Sequence, residues 1–227
     1  MQVLFPKRCL LCGAASDSEL CPPCHASLPH LPSRHCVVCA IPLATADVCG
    51  ACLAHPPAFD HSIAAASYAF PIDALLQSLK YQANLALAPM LADLLSARIG
   101  AAGLPDFILP MPLHPSKLRE RGFNQASEIA RRVSKKVGIA LLPLACRRIK
   151  DAPSQTGLPW KEREKNIGGA FGCEADLTGR RIAVLDDVMT TGATMNELAK
   201  VLRKRGASSV SAWVVARTLP DRPQAHF

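Results

Sequence analysis

The sequence predicts an α/β protein in which a mostly parallel sheet flanked by helices follows a small cysteine-rich module. Three observations support this fold class. Short apolar runs alternate with segments whose apolar residues recur every three or four positions, which is typical of strands connected by helices. Eight of the ten cysteines lie within the first 52 residues. An apolar run, Arg181 to Leu185, ends in two acidic residues and a threonine- and glycine-containing turn before a helical pattern.

The first 55 residues are predicted to form a double zinc ribbon. Their cysteines form four C-x-x-C knuckles, and the two-residue spacing lets both sulfurs of a knuckle reach one tetrahedral ion. Four thiolates leave no open coordination position, so the predicted role of both Zn²⁺ ions is structural. We expect consecutive knuckles to pair; pairing the first knuckle with the third and the second with the fourth is the alternative. The expected ligands are Cys9, Cys12, Cys21 and Cys24 for the first ribbon, and Cys36, Cys39, Cys49 and Cys52 for the second.

A disulfide framework is the main alternative to zinc. Disulfides are typical of exported proteins, and the N-terminus has no long apolar stretch before a small-residue cleavage site. No charge-free apolar run reaches the roughly 18 residues that a membrane-spanning helix needs. We therefore expect zinc rather than disulfides, no transmembrane segment and a cytoplasmic location.

A proline-containing linker over residues 55–60 is predicted to separate the cysteine-rich module from a second domain over residues 60–227. This domain is expected to begin with a strand within Ile63 to Phe70. Two amphipathic helices should follow, because apolar residues recur at helical spacing between Ile72 and Leu95. Near the end of the domain, Val210 to Ala216 is predicted to return as an inner strand.

The turn after Leu185 is predicted to bind a phosphorylated sugar. Ligands of open parallel sheets lie at the carboxyl ends of the strands, and the N–H groups at a helix start attract anions. Asp186 and Asp187 would repel a phosphate, but their oxygens suit ribose hydroxyls or Mg²⁺. An ordinary helix cap needs only one such polar residue, and the lack of a lysine after Gly192 argues against a Walker loop. The predicted phosphate-binding residues are Thr190, Thr191, Gly192, Ala193 and Thr194.

The segment from Val184 to Thr194 resembles the phosphoribosyl pyrophosphate (PRPP) motif of type I phosphoribosyltransferases. In that motif an apolar strand leads into two acidic residues and a loop rich in threonine and glycine. The resemblance implies a type I phosphoribosyltransferase fold, and PRPP or another phosphorylated ribose as the ligand, with Mg²⁺ bound beside PRPP. It also implies that Asp186 and Asp187 are the residues closest to the chemistry at the ribose.

A basic segment follows the apolar run that starts at Asp106. We expect a tight turn followed by Lys117, Arg119 and Arg121, and these cations suit a diphosphate because a guanidinium can bind two oxygens at once. Gly122 permits an unusual backbone angle before the next helix. A solvated basic surface is the alternative interpretation.

The residues from Arg119 to Gln125 read Arg-Glu-Arg-Gly-Phe-Asn-Gln and resemble the signature of the ComF family, also described as GntX-like proteins. Together with the cysteine knuckles and the PRPP motif, this resemblance extends over nearly the whole chain. It implies a double zinc ribbon followed by a phosphoribosyltransferase domain. It also implies a role in natural competence, the uptake of single-stranded DNA for transformation.

Two classes of function are consistent with these motifs. A binding protein would act in competence and contact single-stranded DNA and competence proteins through its zinc module, whereas an active phosphoribosyltransferase would transfer ribose 5-phosphate from PRPP to a nitrogenous base in nucleotide salvage. The net charge of +8 favours an anionic partner. The aromatic content of 5% provides few base-stacking side chains. A zinc-ribbon transcription regulator fits less well, because no helix-turn-helix pattern is evident.

Three further predictions concern the rim of the ligand site. Lys80, between the two amphipathic helices, either faces the ligand cleft or is solvated. Arg217 is the one candidate for a contact with an acceptor base. The polar segment 150–171 corresponds to the lid of phosphoribosyltransferases, and the predicted lid residues are Gln155, Lys161, Arg163 and Asn166.

Overall fold

The computed structural model describes residues 8–100, 103–150 and 168–220. Its strands are β1 (His61–Ser67), β2 (Phe107–Pro110), β3 (Ala140–Leu141), β4 (Cys146–Arg148), β5 (Phe171–Cys173), β6 (Arg181–Met189) and β7 (Ser209–Arg217). Five of them form one sheet in the order β1-β7-β6-β2-β3, and each neighbouring pair in it is parallel. The strands β4 and β5 form a separate antiparallel pair. The predicted α/β class with a mostly parallel sheet is confirmed.

The helices of the described residues connect the strands and cover the sheet. They are α1 (Pro22–Ala26), α2 (Gly50–Ala54), α3 (Ile72–Tyr81), α4 (Leu87–Ser96), α5 (Pro115–Arg121), α6 (Gln125–Val137) and α7 (Ala193–Lys204). The predicted amphipathic pair corresponds to α3 and α4, which bury their periodic leucines. Asn124 caps the start of helix α6, because its side chain accepts the N–H of Ala126 at 2.9 Å. Gly138 follows its last residue, and the φ of 72° at this glycine is in the left-handed region. None of these helices combines the length and the apolar character that crossing a bilayer requires.

Apolar side chains on both faces of the sheet are buried, as expected for parallel strands covered by helices. One core contains Leu185 and Trp213 with residues of α3, α4 and α6. The other contains Val184 and Val214 with Leu198 of α7. Because successive side chains of a strand point to opposite faces, adjacent residues of β6 belong to different cores. Strand β7 lies between β1 and β6, so the prediction of an inner strand near the chain end is confirmed.

One local prediction was wrong. Strand β6 continues to Met189, so Asp186 and Asp187 lie within it rather than after it, because the pairing with β7 continues as far as Met189. The basic residues that follow the proline-rich turn form helix α5, which was not predicted. Pro115 at its first position is compatible with a helix, and the side chain of His114 accepts the N–H of Ser116 at 3.3 Å. Gly122 ends this helix with φ 81°, as predicted.

The cysteine-rich part of the chain packs against the edge strand β1. Ser62 donates its main-chain N–H to the carbonyl of Val37 at 3.0 Å, and Ser67 donates to that of Pro29 at 2.7 Å. Both short helices in this part begin directly after a cysteine: α1 follows Cys21, and α2 follows Cys49. The residues predicted for the lid, Gln155, Lys161, Arg163 and Asn166, lie outside the described residues.

Candidate functional site

The loop between β6 and α7 lines a small open cavity at the carboxyl end of the sheet. Thr191 Oγ1 accepts the N–H of Ala193 at 3.3 Å, and this bond closes the turn before the helix. No acceptor among the described residues takes the N–H groups of Thr194 and Met195 in the first turn of α7. These donors and the positive end of the helix dipole suit an anion. The cavity is lined by Asp186, Val188, Met189, Thr190, Gly192, Ala193, Thr194 and Met195.

Gly192 takes a left-handed backbone conformation with φ 82° at the start of α7. A Cβ at this position would lie 3.7 Å from Met189 Sδ and 3.7 Å from Cζ of Phe59, which is ordinary contact. The requirement for glycine therefore comes from the backbone angle and not from a lack of space.

Replacing Gly192 with alanine is expected to lower the free energy of unfolding by about 1–2 kcal/mol, the usual cost of a left-handed L-residue. Urea unfolding would measure the loss. Gly100→Ala is the matched control, because Gly100 has an ordinary φ and open space around its Cα, and it should change stability by less than about 0.5 kcal/mol. Equal stability of the Gly192 variant and the wild type would refute the backbone argument.

The two adjacent acids of β6 have different environments. Asp186 is half-buried and lines the cavity. Asp187 is 3% exposed, forms an ion pair with Lys80 of α3, and accepts a hydrogen bond of 3.4 Å from Gln125 of α6. Adjacent residues of a strand point to opposite faces of the sheet, which explains why the two carboxylates have different environments. Of the two, only Asp186 lines the cavity.

The charges of the site shift the pKa values of both acids. Burial raises the pKa of Asp186 well above its usual range, and the negative charge of Asp187 adds to the shift. Burial also acts to raise the pKa of Asp187, but the ammonium of Lys80 outweighs it and the pKa of Asp187 is lowered. Asp187 and Lys80 are therefore charged at neutral pH, and a cation at the cavity would favour the ionised form of Asp186.

Arg121 is the residue of α5 that a chain of hydrogen bonds connects to the acid pair. Its guanidinium donates to Oε1 of Gln125, and Gln125 donates to Asp187. It also lies over the ring of Tyr81, 5.7 Å from the centroid. The other two predicted cations lie on the same helix: Lys117 is 2.7 Å from Glu120, and Arg119 is exposed.

Sequence reasoning assigned no role to Gln125 and left the environment of Lys80 open. In the structure Lys80 is not solvated: its ammonium pairs with the buried Asp187, and its side chain is 21% exposed. Gln125 ends the Arg119 to Gln125 signature, and its place in that signature was the signal available in the sequence.

The prediction that Arg217 contacts an acceptor base was wrong. Arg217 is 3% exposed, and its guanidinium donates to main-chain carbonyls on both sides of the end of β7. These contacts hold the side chain inside the protein, where it cannot reach a base at the surface.

The eight N-terminal cysteines form two groups, each of which fits one zinc ion. Within each group the ligand atoms lie within 4.8 Å of one another. The Sγ–Sγ distance is 3.7 Å between Cys12 and Cys21 and 3.6 Å between Cys39 and Cys49. A tetrahedral ion with Zn–S bonds near 2.3 Å separates its sulfurs by about 3.8 Å. The groups are Cys9, Cys12, Cys21 and Cys24, and Cys36, Cys39, Cys49 and Cys52, so consecutive knuckles pair as expected.

Comparisons with known proteins agree with this architecture. Residues 1–53 match the family model "Double zinc ribbon domain", and residues 118–225 match "Phosphoribosyl transferase domain". Competence protein F of Haemophilus influenzae is 32% identical over 230 residues, covering 96% of this chain and all of that protein. DNA utilization protein YhgH of Escherichia coli K12 is 32% identical over 221 residues, covering 93% and 90%. Competence protein ComFC of Streptococcus pneumoniae is 24% identical over 237 residues, covering 92% and 100%.

The fold and these matches define a protein with a phosphoribosyltransferase domain preceded by a double zinc ribbon. The near full-length similarity to competence protein F identifies the family, and the chain belongs to the ComF family.

Proposed function

We propose that this chain binds PRPP, or another ribose with a 5′-phosphate, and acts in natural competence, in the uptake or use of DNA. The observation that carries the proposal is the cavity between β6 and α7, where main-chain N–H groups and threonine hydroxyls surround a helix start. The names of its relatives, competence protein and DNA utilization protein, support the cellular role.

In this proposal the 5′-phosphate occupies the loop and the ribose lies over the end of β6. The N–H groups of Thr194 and Met195 and the hydroxyls of Thr190, Thr191 and Thr194 donate to the phosphate. A carboxylate oxygen of Asp186 accepts a ribose hydroxyl. Asp187, on the opposite face of β6, pairs with Lys80 and so anchors the strand end that carries Asp186.

We propose that the diphosphate of PRPP lies beside α5. Arg121 is the first candidate to bind it, because its contact with Gln125 places it next to the acid pair, and Lys117 and Arg119 add positive charge on the same helix. Mg²⁺ would be held by oxygens of Asp186 and of the ligand, where it supplies positive charge beside the diphosphate.

We propose that residues 1–55 form a zinc module that binds partners and that residues 60–227 form the domain that binds the ligand. We further propose that the protein acts in the cytoplasm. The zinc module and the basic surface are the parts proposed to contact single-stranded DNA and competence proteins. The net charge of +8 supports an anionic partner. We expect the protein to retain single-stranded DNA, with an affinity that falls steeply as the salt concentration rises. An affinity that does not depend on salt would contradict the proposal.

Asp186→Ala and Thr191→Ala are each expected to weaken PRPP binding at least tenfold. A hydrogen bond to a charged group contributes about 1.5–3 kcal/mol, and 1.4 kcal/mol is a factor of ten in affinity. Isothermal titration with PRPP and Mg²⁺ would measure the dissociation constants. Asp93→Ala is the control, because Asp93 forms a half-exposed pair with Lys136 away from the loop, and its affinity should match the wild type. Equal affinity in all four proteins would rule out this site.

Turnover is the second candidate, and the position of Arg121 beside the acid pair favours it. A nitrogenous base would displace diphosphate at C1 of the ribose, and Arg121 would stabilise the departing charge. Radiolabelled PRPP incubated with a panel of bases separates the two classes. A transferase releases diphosphate only when its base is present, whereas a binding protein shows saturable affinity without release.

A further inference from the structure

The buried guanidinium of Arg217 connects the second zinc ribbon to the loop between β6 and α7. Arg217 occupies the last position of β7, next to Met189 of β6 in the sheet register. Nε donates to the carbonyl of Cys39 at 2.7 Å. Nη1 donates to the carbonyls of Met189 at 3.0 Å and of Thr218 at 2.6 Å, and to that of Thr190. One side chain therefore contacts a zinc ligand residue and the first residues of the loop.

The contacts with Met189 and Thr190 set the direction of the peptide groups that lead into the loop. In a trans peptide the N–H points opposite to the C=O of the same group. Since both carbonyls face the guanidinium, the N–H groups of Thr190 and Thr191 point away from it. Arg217 thus fixes the orientation of the main chain where the cavity begins.

The contact with Cys39 depends on the shape of the second ribbon. Cys39 belongs to a tight turn in which Ala40 donates its N–H to the carbonyl of Cys36 at 2.8 Å. Ala40 is fully buried and has a left-handed φ of 59°, a conformation that is strained for an L-residue. Bonds from Cys36 and Cys39 to one ion would hold this turn in place. Without them the turn is free to relax, and the carbonyl of Cys39 moves with it.

We propose that Arg217 is a positioning residue that couples occupancy of the second zinc site to the affinity of the loop for ribose phosphates. Loss of the ion releases the Cys39 carbonyl and leaves a buried guanidinium N–H without its acceptor. The guanidinium then shifts, and the carbonyl of Thr190 loses the donor that orients it, whereas that of Met189 keeps the N–H of Thr218 at 3.0 Å. By linkage, a ligand on the loop strengthens zinc binding by the same factor. This proposal rests on the proposed function, because PRPP is the ligand whose affinity changes.

The test compares PRPP binding with zinc bound and after a chelator has removed it. Isothermal titration with PRPP and Mg²⁺ is applied to the full-length wild type, Arg217→Met and Arg217→Lys. In the wild type, zinc removal should weaken PRPP binding about tenfold, within the usual range of coupling factors. Arg217→Met should bind PRPP weakly in both states, with less than a twofold difference. Arg217→Lys keeps the charge but not the fork of donors, and should retain part of the zinc dependence.

Arg203→Met is the matched control. Arg203 is also an arginine with main-chain acceptors: it donates to the carbonyl of Ala58 at 3.3 Å and to Asp60, both in the linker. None of its contacts within the described residues reaches Cys39 or the loop. Its loss should lower stability and leave the zinc dependence of PRPP binding as in the wild type. A second readout is zinc transfer to a chromogenic chelator, which PRPP should oppose about tenfold in the wild type and not in Arg217→Met.

The outcomes separate this proposal from the proposed function. If the zinc-loaded wild type does not bind PRPP, the proposed function fails and the coupling fails with it. If the wild type binds PRPP equally with and without zinc, only the coupling is overturned, and this measurement needs no variant to fold. Full zinc dependence in a folded Arg217→Met would also overturn the coupling.

Discussion

Replacing Lys80 with methionine is expected to lower the free energy of unfolding by about 3–5 kcal/mol, because it leaves the carboxylate of Asp187 buried without its cation. The side chain of Asp187 is only 4% exposed and that of Lys80 is 21% exposed, so water compensates little for the loss. Methionine keeps most of the length of the lysine side chain, so the loss of stability from an empty cavity should be small. Urea unfolding at pH 8 would measure the change.

The matched control is Lys136→Met, which breaks a pair with Asp93 whose members are each about half exposed. Surface pairs of this kind contribute about 0–1 kcal/mol. A rescue variant, Lys80→Met with Asp187→Asn, should recover much of the loss, since it removes the buried charge. A Lys80 variant no less stable than the Lys136 variant would show that the ion pair does not hold the site together.

The effect should also depend on pH. In the wild type the pKa of Asp187 is lowered, so its contribution is complete above its unfolded pKa near 3.9 and is lost as the pH falls through the lowered value. In Lys80→Met the cation that outweighs burial is gone, so burial becomes the dominant influence and raises the pKa of Asp187. The stability difference should therefore widen as the pH rises from about 4 toward 8, and a constant difference would contradict the assignment.

Removal of zinc is expected to unfold the cysteine-rich part of the chain. Structural zinc contributes about 10–16 kcal/mol to small cysteine modules at neutral pH, and the short helices α1 and α2 have no buried residues with which to form a core of their own. Hydrogen exchange read by mass spectrometry should show residues 8–54 losing protection after chelation. The inner strands β6 and β7 should stay protected, because their cores are built from the sheet and its helices.

Re-addition of zinc is the control for this experiment, and it should restore protection to the same residues. Strand β1 is expected to respond partly, because Ser62 and Ser67 donate hydrogen bonds to the cysteine-rich part. Unchanged protection of residues 8–54 in protein shown to be free of metal would contradict a structural role for the ions.

Much of the fold follows from short-range pattern. The periodicity between Ile72 and Leu95 predicted α3 and α4, and the apolar run at Val210 to Ala216 predicted β7, because burial of one face sets the spacing of apolar residues along the chain. One error arose at the end of β6. The two consecutive aspartates suggested a turn, whereas the pairing with β7 keeps both in the strand. The short helix α5 was not predicted, although Pro115 starts it and Gly122 ends it.

The sequence by itself determined the four cysteine knuckles, the alternation of strands and helices, and the loop from Thr190 to Thr194. Each of these depends on residues close together in the chain. Only the tertiary structure decided that Asp187 faces Lys80 while Asp186 faces the cavity, and that Arg217 reaches Cys39, 178 positions away. Such contacts depend on which strands become neighbours and which face each residue takes, and local spacing does not encode that information.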